Sequence, residues 1–127
     1  MKKKHSFLTK SIIIASDHAG FELKELIKKK LENLGLNILD LGVDNKKVSV
    51  DYPTYAKKLS KKINSKNMGI LICGSGIGMS IASNRFKNVR SALVNSSTLS
   101  KLSRKHNNAN IICLAARFVS KKVAIQC

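Results

Sequence analysis

The sequence predicts an α/β fold in which a five-stranded parallel sheet is covered by helices on both faces. Two patterns and a size point there. Apolar runs of strand length alternate with longer stretches of helical periodicity. The runs are continuously apolar rather than alternating, as strands buried on both faces must be. The chain has 127 residues, 43% of them apolar, which fits one domain with room for a hydrophobic core.

The elements follow in order. Residues 1–10 read as a basic leader, and the domain spans 11–127. Ser11–Ser16 reads as the first strand. Residues 21–34 carry Leu23, Leu26, Ile27, Leu31 and Leu34 as a helical stripe, and Gly35 suits its C-cap. Leu36–Leu41 is the second strand. A polar loop covers 42–52, and Pro53 suits the first turn of a helix reaching about Lys66. The third strand is 68–73, followed by a helix over 79–86. A fourth strand over 89–94 precedes a helix over 98–106. The fifth strand is 110–115, and 117–125 opens a last helix. There is no internal repeat and no low-complexity linker.

The net charge of +17 invites a nucleic-acid reading. Composition argues against it. Lysine outnumbers arginine 20 to 4, whereas recognition of bases and phosphates leans on arginine forks. The lysines are spread along the chain, and aromatic residues for stacking are few. A strong positive potential would still draw phosphorylated metabolites toward a cleft. Cys73, Cys113 and Cys127 are odd in number and lack metal-type spacing, so neither a disulfide framework nor a zinc site is expected. Reduced thiols suggest a cytoplasmic protein. No apolar stretch approaches the roughly 20 residues that span a bilayer.

In such sheets ligands bind at the carboxyl ends of the strands, near a switch in strand order. Asp17 and His18 follow the first strand, and Cys73 with Gly74-Ser75-Gly76-Ile77-Gly78 follows the third. A glycine turn opening a helix offers free N–H groups to an anion, and the same field favours a thiolate. The glycine spacing matches neither a dinucleotide fingerprint nor an ATP-type phosphate loop. Taken singly, the glycines fit a tight turn as well as an anion site, and Cys73 fits a small buried hydrophobe better than a reactive thiol; Cys73 at the strand end is what raises the glycine turn. Cys113, between Ile112 and Leu114, fits that bland reading better. Asp17 also suits a helix N-cap, His106 a helix end, and Arg117 either a phosphate clamp or a surface pair. Met79 reads as packing. His106 and Asn107 precede the fifth strand and therefore belong to the opposite edge. They would reach the pocket of a neighbouring copy across an interface, which suggests an oligomer with shared sites.

Five segments together resemble the ribose-5-phosphate isomerase B family, within a wider group that includes galactose-6-phosphate isomerase subunits. They are Ala15-Ser-Asp-His-Ala-Gly-Phe21, Asp51-Tyr-Pro53, Ile72-Cys-Gly-Ser-Gly-Ile-Gly78, Ser80-Ile-Ala-Ser-Asn84, and Leu102-Ser-Arg-Lys-His-Asn107 with Ala116-Arg117. The resemblance implies a Rossmann-like three-layer fold, a homodimer or tetramer, and no metal or cofactor. It implies interconversion of ribose 5-phosphate and ribulose 5-phosphate. Cys73 matches the catalytic base, and His106 matches the acid that opens the sugar ring, supplied by the neighbouring subunit. Asp17, His18, Gly74, Ser75, Gly76, Ile77, Gly78, Asn107 and Arg117 match substrate-binding positions. One branch of the family uses a glutamate where Met79 stands, so the resemblance is to the cysteine branch. The family pattern continues past the position of Cys127 with further phosphate-binding arginines. The expectation is thus a domain lacking the end of its last helix, with Lys121 and Lys122 near the incomplete clamp. A six-carbon sugar phosphate as substrate, or an inactive homologue, are the competing expectations.

Overall fold

The computed structural model describes residues 11–127, and the leader expected over 1–10 lies outside them. The strands are β1 (Ser11–Ser16), β2 (Ile38–Asp40), β3 (Asn67–Cys73), β4 (Ser91–Leu93) and β5 (Ile111–Ala115). The helices are α1 (Phe21–Asn33), α2 (Tyr52–Ser60), α3 (Ile77–Ser83), α4 (Ser97–Asn107) and α5 (Lys121–Gln126). A single 3-10 turn, His18–Gly20, leads into α1. All strand pairs are parallel, in the order β2-β1-β3-β5-β4. The chain leaves β1 toward β2 and returns to β3 on β1's other side. The switch point therefore lies between β1 and β3, where a parallel sheet opens a crevice.

The continuous apolar runs earn their burial on both faces. Ile13, Ala15, Leu71, Cys73, Ile111 and Cys113 pack under α2 and α3 through Ala56, Leu59 and Met79. Ile14, Ile72 and Leu114 face α1 and α5 through Leu23, Ile27 and Ala124. The edge strands β2 and β4 are shorter than the sequence predicts, with three residues each. Each has a partner on one side only, so nothing holds its ends in the ladder.

Other boundaries shift for local reasons. Helix α2 stops at Ser60 because Asn64 and Asn67 draw the following backbone into turns. The Asn64 N–H donates to Asn67 Oδ1 at 2.9 Å, and the Lys66 N–H to Asn64 Oδ1 at 2.8 Å. Helix α1 ends one residue early, and Leu34 of the predicted stripe is exposed. Gly35 follows it with φ of +82°, as its C-cap role requires. Helix α5 waits for Ser120, whose hydroxyl accepts the Val123 N–H at 3.1 Å.

An ion cluster around a buried lysine was not anticipated. Lys24 is 1% exposed, and its ammonium donates to Asp40 at 2.6 Å and Glu25 at 2.7 Å. Lys28 reaches the same Asp40 oxygen at 2.9 Å, and the Gly42 N–H donates to Asp40 Oδ1 at 2.8 Å. Burial alone would push the Asp40 carboxyl up, but the two ammonium groups and the Gly42 N–H together hold it below its ordinary value. The cluster fastens α1 to β2 beneath the loop that follows.

Candidate active site

Strand β3 is the central strand and delivers Cys73 to the carboxyl edge of the sheet, 5% exposed. The Gly76 N–H turns back and donates to Cys73 Sγ at 3.1 Å. That turn requires φ of +75° at Gly76, a left-handed conformation that glycine adopts without strain. A Cβ there would lie 2.5 Å from Leu93 Cδ1 and 3.2 Å from the Leu114 carbonyl. Helix α3 starts directly after this residue, two positions earlier than the sequence predicts, so the glycine turn is only Gly74-Ser75-Gly76. The Ser75 hydroxyl accepts the Ile77 N–H at 3.2 Å. The next N–H groups, of Gly78 and Met79, begin the helix and have no intrahelical acceptor. Met79 is fully buried, which agrees with packing.

The β3–β5 ladder runs on past both strand ends. The Ala116 N–H donates to the Cys73 carbonyl at 2.9 Å, and the Arg117 N–H to the Gly74 carbonyl at 2.9 Å. This brings the Arg117 side chain over Gly74, where a Cβ would sit 3.2 Å from Nη1. A guanidinium thus lies beside the thiol's loop. Across the switch point, the Asp17 N–H donates to the Ile72 carbonyl at 3.2 Å. Asp17 is buried, and its Oδ1 accepts the Gly20 N–H at 3.1 Å, so the N-cap reading of the sequence holds. Gly20 fits because a Cβ would fall 2.7 Å from Ile72. His18 Nδ1 accepts the Val50 N–H at 3.2 Å, which fastens the 43–50 loop to the rim.

Tyr52 belongs to this rim and was not singled out from the sequence. Its ring covers Gly78, where a Cβ would meet ring carbons at 2.5 Å. The signal was its place in Asp51-Tyr-Pro53, but nothing in that tripeptide told which way the ring turns.

Asp17, His18, Cys73, Arg117 and the glycine turn therefore share one edge. His106 and Asn107 do not join them. They end α4 just before β5, and the Asn107 carbonyl accepts Arg90 Nε at 2.7 Å near the start of β4. The register pairs Gly69 with Ile111 and Cys73 with Ala115. The two edges are four strand residues apart, roughly 13 Å at the usual rise. The order of elements thus sets the end of α4, with His106, and the Cys73 end of β3 at opposite edges of the sheet. It lines a shallow cleft with Ala92, Leu93, Leu99 and Leu102.

Cys113 sits in the same core layer as Cys73. Burial pushes its thiol up to about 12, a shift that the Ser91 hydroxyl at 3.0 Å eases only partly. It therefore stays a neutral thiol. Cys73, Cys113 and Cys127 are all free. Among the described residues no group of three or more His, Cys, Asp or Glu side chains could hold a metal ion. No helix among them is long and apolar enough to cross a membrane.

A family model described as Ribose/Galactose Isomerase matches residues 12–127. The chain belongs to this family. Its relatives place it in the ribose-5-phosphate isomerase B group. A probable ribose-5-phosphate isomerase B of Mycoplasma pneumoniae is 46% identical over 110 residues, covering 85% of this chain and 72% of the relative. The solved ribose 5-phosphate isomerase B of Anaplasma phagocytophilum superposes with a TM-score of 0.89 at 45% identity, over 93% of this chain and 81% of that one. The Mycoplasma genitalium enzyme, solved with bound ribulose 5-phosphate, gives a TM-score of 0.85 at 41% identity over 94% and 80% of the two chains. The Rossmann-like sheet predicted from the resemblance is thus the fold of an isomerase family.

Proposed function

We propose that the chain interconverts ribose 5-phosphate and ribulose 5-phosphate through an enediolate, with Cys73 as the base. The observation that carries the reading is the Cys73 thiol at the switch point, with a loop N–H on its sulfur and Arg117 over the same loop. The bound ribulose 5-phosphate of the Mycoplasma genitalium relative supports the choice of a five-carbon substrate.

The chemistry runs in two stages. The furanose must open, which needs a proton on the ring oxygen. His106 of the partner subunit supplies it, because the chain's own His106 lies on the far edge of the sheet. Cys73 then takes the C2 proton, and the negative charge that develops on the enediolate oxygens is met by the N–H groups opening α3. Transfer of the hydroxyl proton from O2 to O1, with return of the carbon-bound proton from Cys73 to C1, completes the isomerisation. Asp17 and His18 bind sugar hydroxyls together with the partner subunit's Asn107, and Arg117 binds phosphate.

A shared site needs a second copy. The exposed apolar side chains that support one are Ile77 and Ile81 on α3, with Leu93, Leu99 and Leu102 beside the His106 cleft. They join the glycine-turn helix to the element that carries His106, so one symmetric contact would bring both halves together. The three free thiols suit a reducing compartment such as the cytoplasm.

Ribulose 5-phosphate formation by the purified chain tests the reading, with Cys73→Ala alongside. The expected result is turnover that falls by at least about a hundredfold in the variant, the usual scale for a lost general base. Equal turnover in both proteins would remove Cys73 from the mechanism.

A further inference from the structure

Glu22 opens α1 immediately after the His18–Gly20 turn, on the edge that carries Cys73 and Arg117. Its carboxylate is bound by the ammonium of Lys46, which reaches across from the 43–50 loop. That hydrogen bond and charge hold the Glu22 carboxyl below its ordinary range, and the charge of Lys121 adds to the effect. Lys121 begins α5 four residues after Arg117. The loop bearing Lys46 is fastened at both ends. The Ser16 N–H donates to the Gly42 carbonyl at 2.8 Å, and the Val50 N–H to His18 Nδ1 at 3.2 Å. Three cations from three separate elements thus stand on the carboxyl edge of the sheet, two of them acting on the exposed Glu22 carboxylate, with the exposed Asp44 and Asp51 carboxylates flanking the Lys46 loop.

The direction of the substrate selects this stretch. With C1 and C2 at Cys73, the phosphate at the far end of the sugar must point along the rim. Arg117 lies over Gly74 and stands four residues before Lys121, the first residue of α5. We propose that Lys46 and Lys121 complete the phosphate site with Arg117, the two lysines exchanging the Glu22 carboxylate for the incoming phosphate. An exposed ion pair is easily exchanged, and a dianionic phosphate outcompetes one carboxylate for two ammonium groups. For its substrate the inference rests on the isomerase reading, but the anion site itself does not.

Inorganic phosphate is the probe that separates the two. Titration of the full chain, followed by amide NMR shifts at Val50 and Arg117, is expected to show saturable binding. Lys46→Ala with Lys121→Ala should weaken it about tenfold or more, on the scale of two exposed charge contacts. Lys46→Arg, which keeps the charge, should bind like the parent. Lys61→Ala with Lys62→Ala removes equal charge beyond α2 and should leave binding within about twofold. With ribose 5-phosphate, the Lys46/Lys121 double variant should raise KM and leave kcat unchanged. Both lysines are exposed, so the fold should survive. Three results would overturn the proposal: no phosphate binding by the parent, binding unchanged in the double variant, or an equal loss in the Lys61/Lys62 control. Lysine-dependent phosphate binding without any turnover would instead uphold the anion site and refute the isomerase reading.

Discussion

Three glycine-to-alanine substitutions separate backbone strain from crowding in the turn that shapes the site. Gly35 and Gly76 both have positive φ, +82° and +75°. A Cβ at Gly35 meets nothing within 4 Å, so Gly35→Ala isolates the conformational cost. That cost is about 1–2 kcal/mol for a left-handed residue, offset by up to about 1 kcal/mol from a stiffer unfolded chain, leaving about 1 kcal/mol. Gly76→Ala carries the same cost and adds contacts at 2.5 Å to Leu93 and 3.2 Å to the Leu114 backbone. Leu93 can rotate away, but the β5 backbone cannot, so overpacking adds about 1–2 kcal/mol. The sum is about 2–3 kcal/mol. Gly74→Ala meets only the flexible Arg117 side chain at 3.2–3.4 Å, and stability should change by less than about 0.5 kcal/mol. Urea unfolding reads all three. At a slope of about 2 kcal/mol per molar, the midpoint should fall by about 0.5 M for Gly35→Ala and by more than about 1 M for Gly76→Ala. Gly74→Ala should keep its midpoint and weaken phosphate binding, because Arg117 must shift by a few tenths of an ångström. A midpoint for Gly76→Ala no lower than that for Gly35→Ala would refute the packing described around the turn.

Two further outcomes follow from buried groups elsewhere. Asp40→Asn leaves the Lys24 ammonium buried with Glu25 as its one remaining carboxylate, and should cost about 3 kcal/mol by thermal or urea unfolding. Asp40 and Glu25 are both held below their ordinary values of 3.8 and 4.5, so the folded state binds fewer protons than the unfolded one in acid. Their contribution is therefore complete above about pH 5 and is lost as pH falls below those values; Asp40→Asn should flatten that acid limb. Cys113, fully buried and pushed up to about 12, should resist iodoacetamide at neutral pH, while the partly exposed Cys127, whose thiol burial also pushes up, reacts slowly, as peptide mass mapping would show. Labelling of Cys113 in the folded protein would contradict its burial beneath α3.

The central strands are legible because their signal is long and burial on both faces keeps it apolar. Ile12–Ala15 and Ile70–Cys73 admit little else. The edge strands are not, since pairing on one side cut Leu36–Leu41 down to Ile38–Asp40. The start of α3 was misplaced because a left-handed Gly76 can cap a helix as well as precede a longer turn. Lys24 reads as a surface lysine; only the partner it finds on β2, sixteen residues on, makes its burial possible. The opposite placement of His106 and Cys73 follows from element order alone, before any coordinate. What no order of elements conveys is orientation, such as Tyr52 turning over Gly78 or Lys46 reaching Glu22.

The division of the site between two subunits is tested most directly by mixing two dead chains. Cys73→Ala keeps His106, and His106→Ala keeps Cys73. In a symmetric dimer, each mixed pair holds one site with both groups intact. Random pairing after joint refolding should therefore restore roughly a quarter of the parent turnover, although each variant alone is inactive. No activity in the mixture, with mixed dimers shown to be present, would contradict a site that draws its acid from the neighbouring subunit.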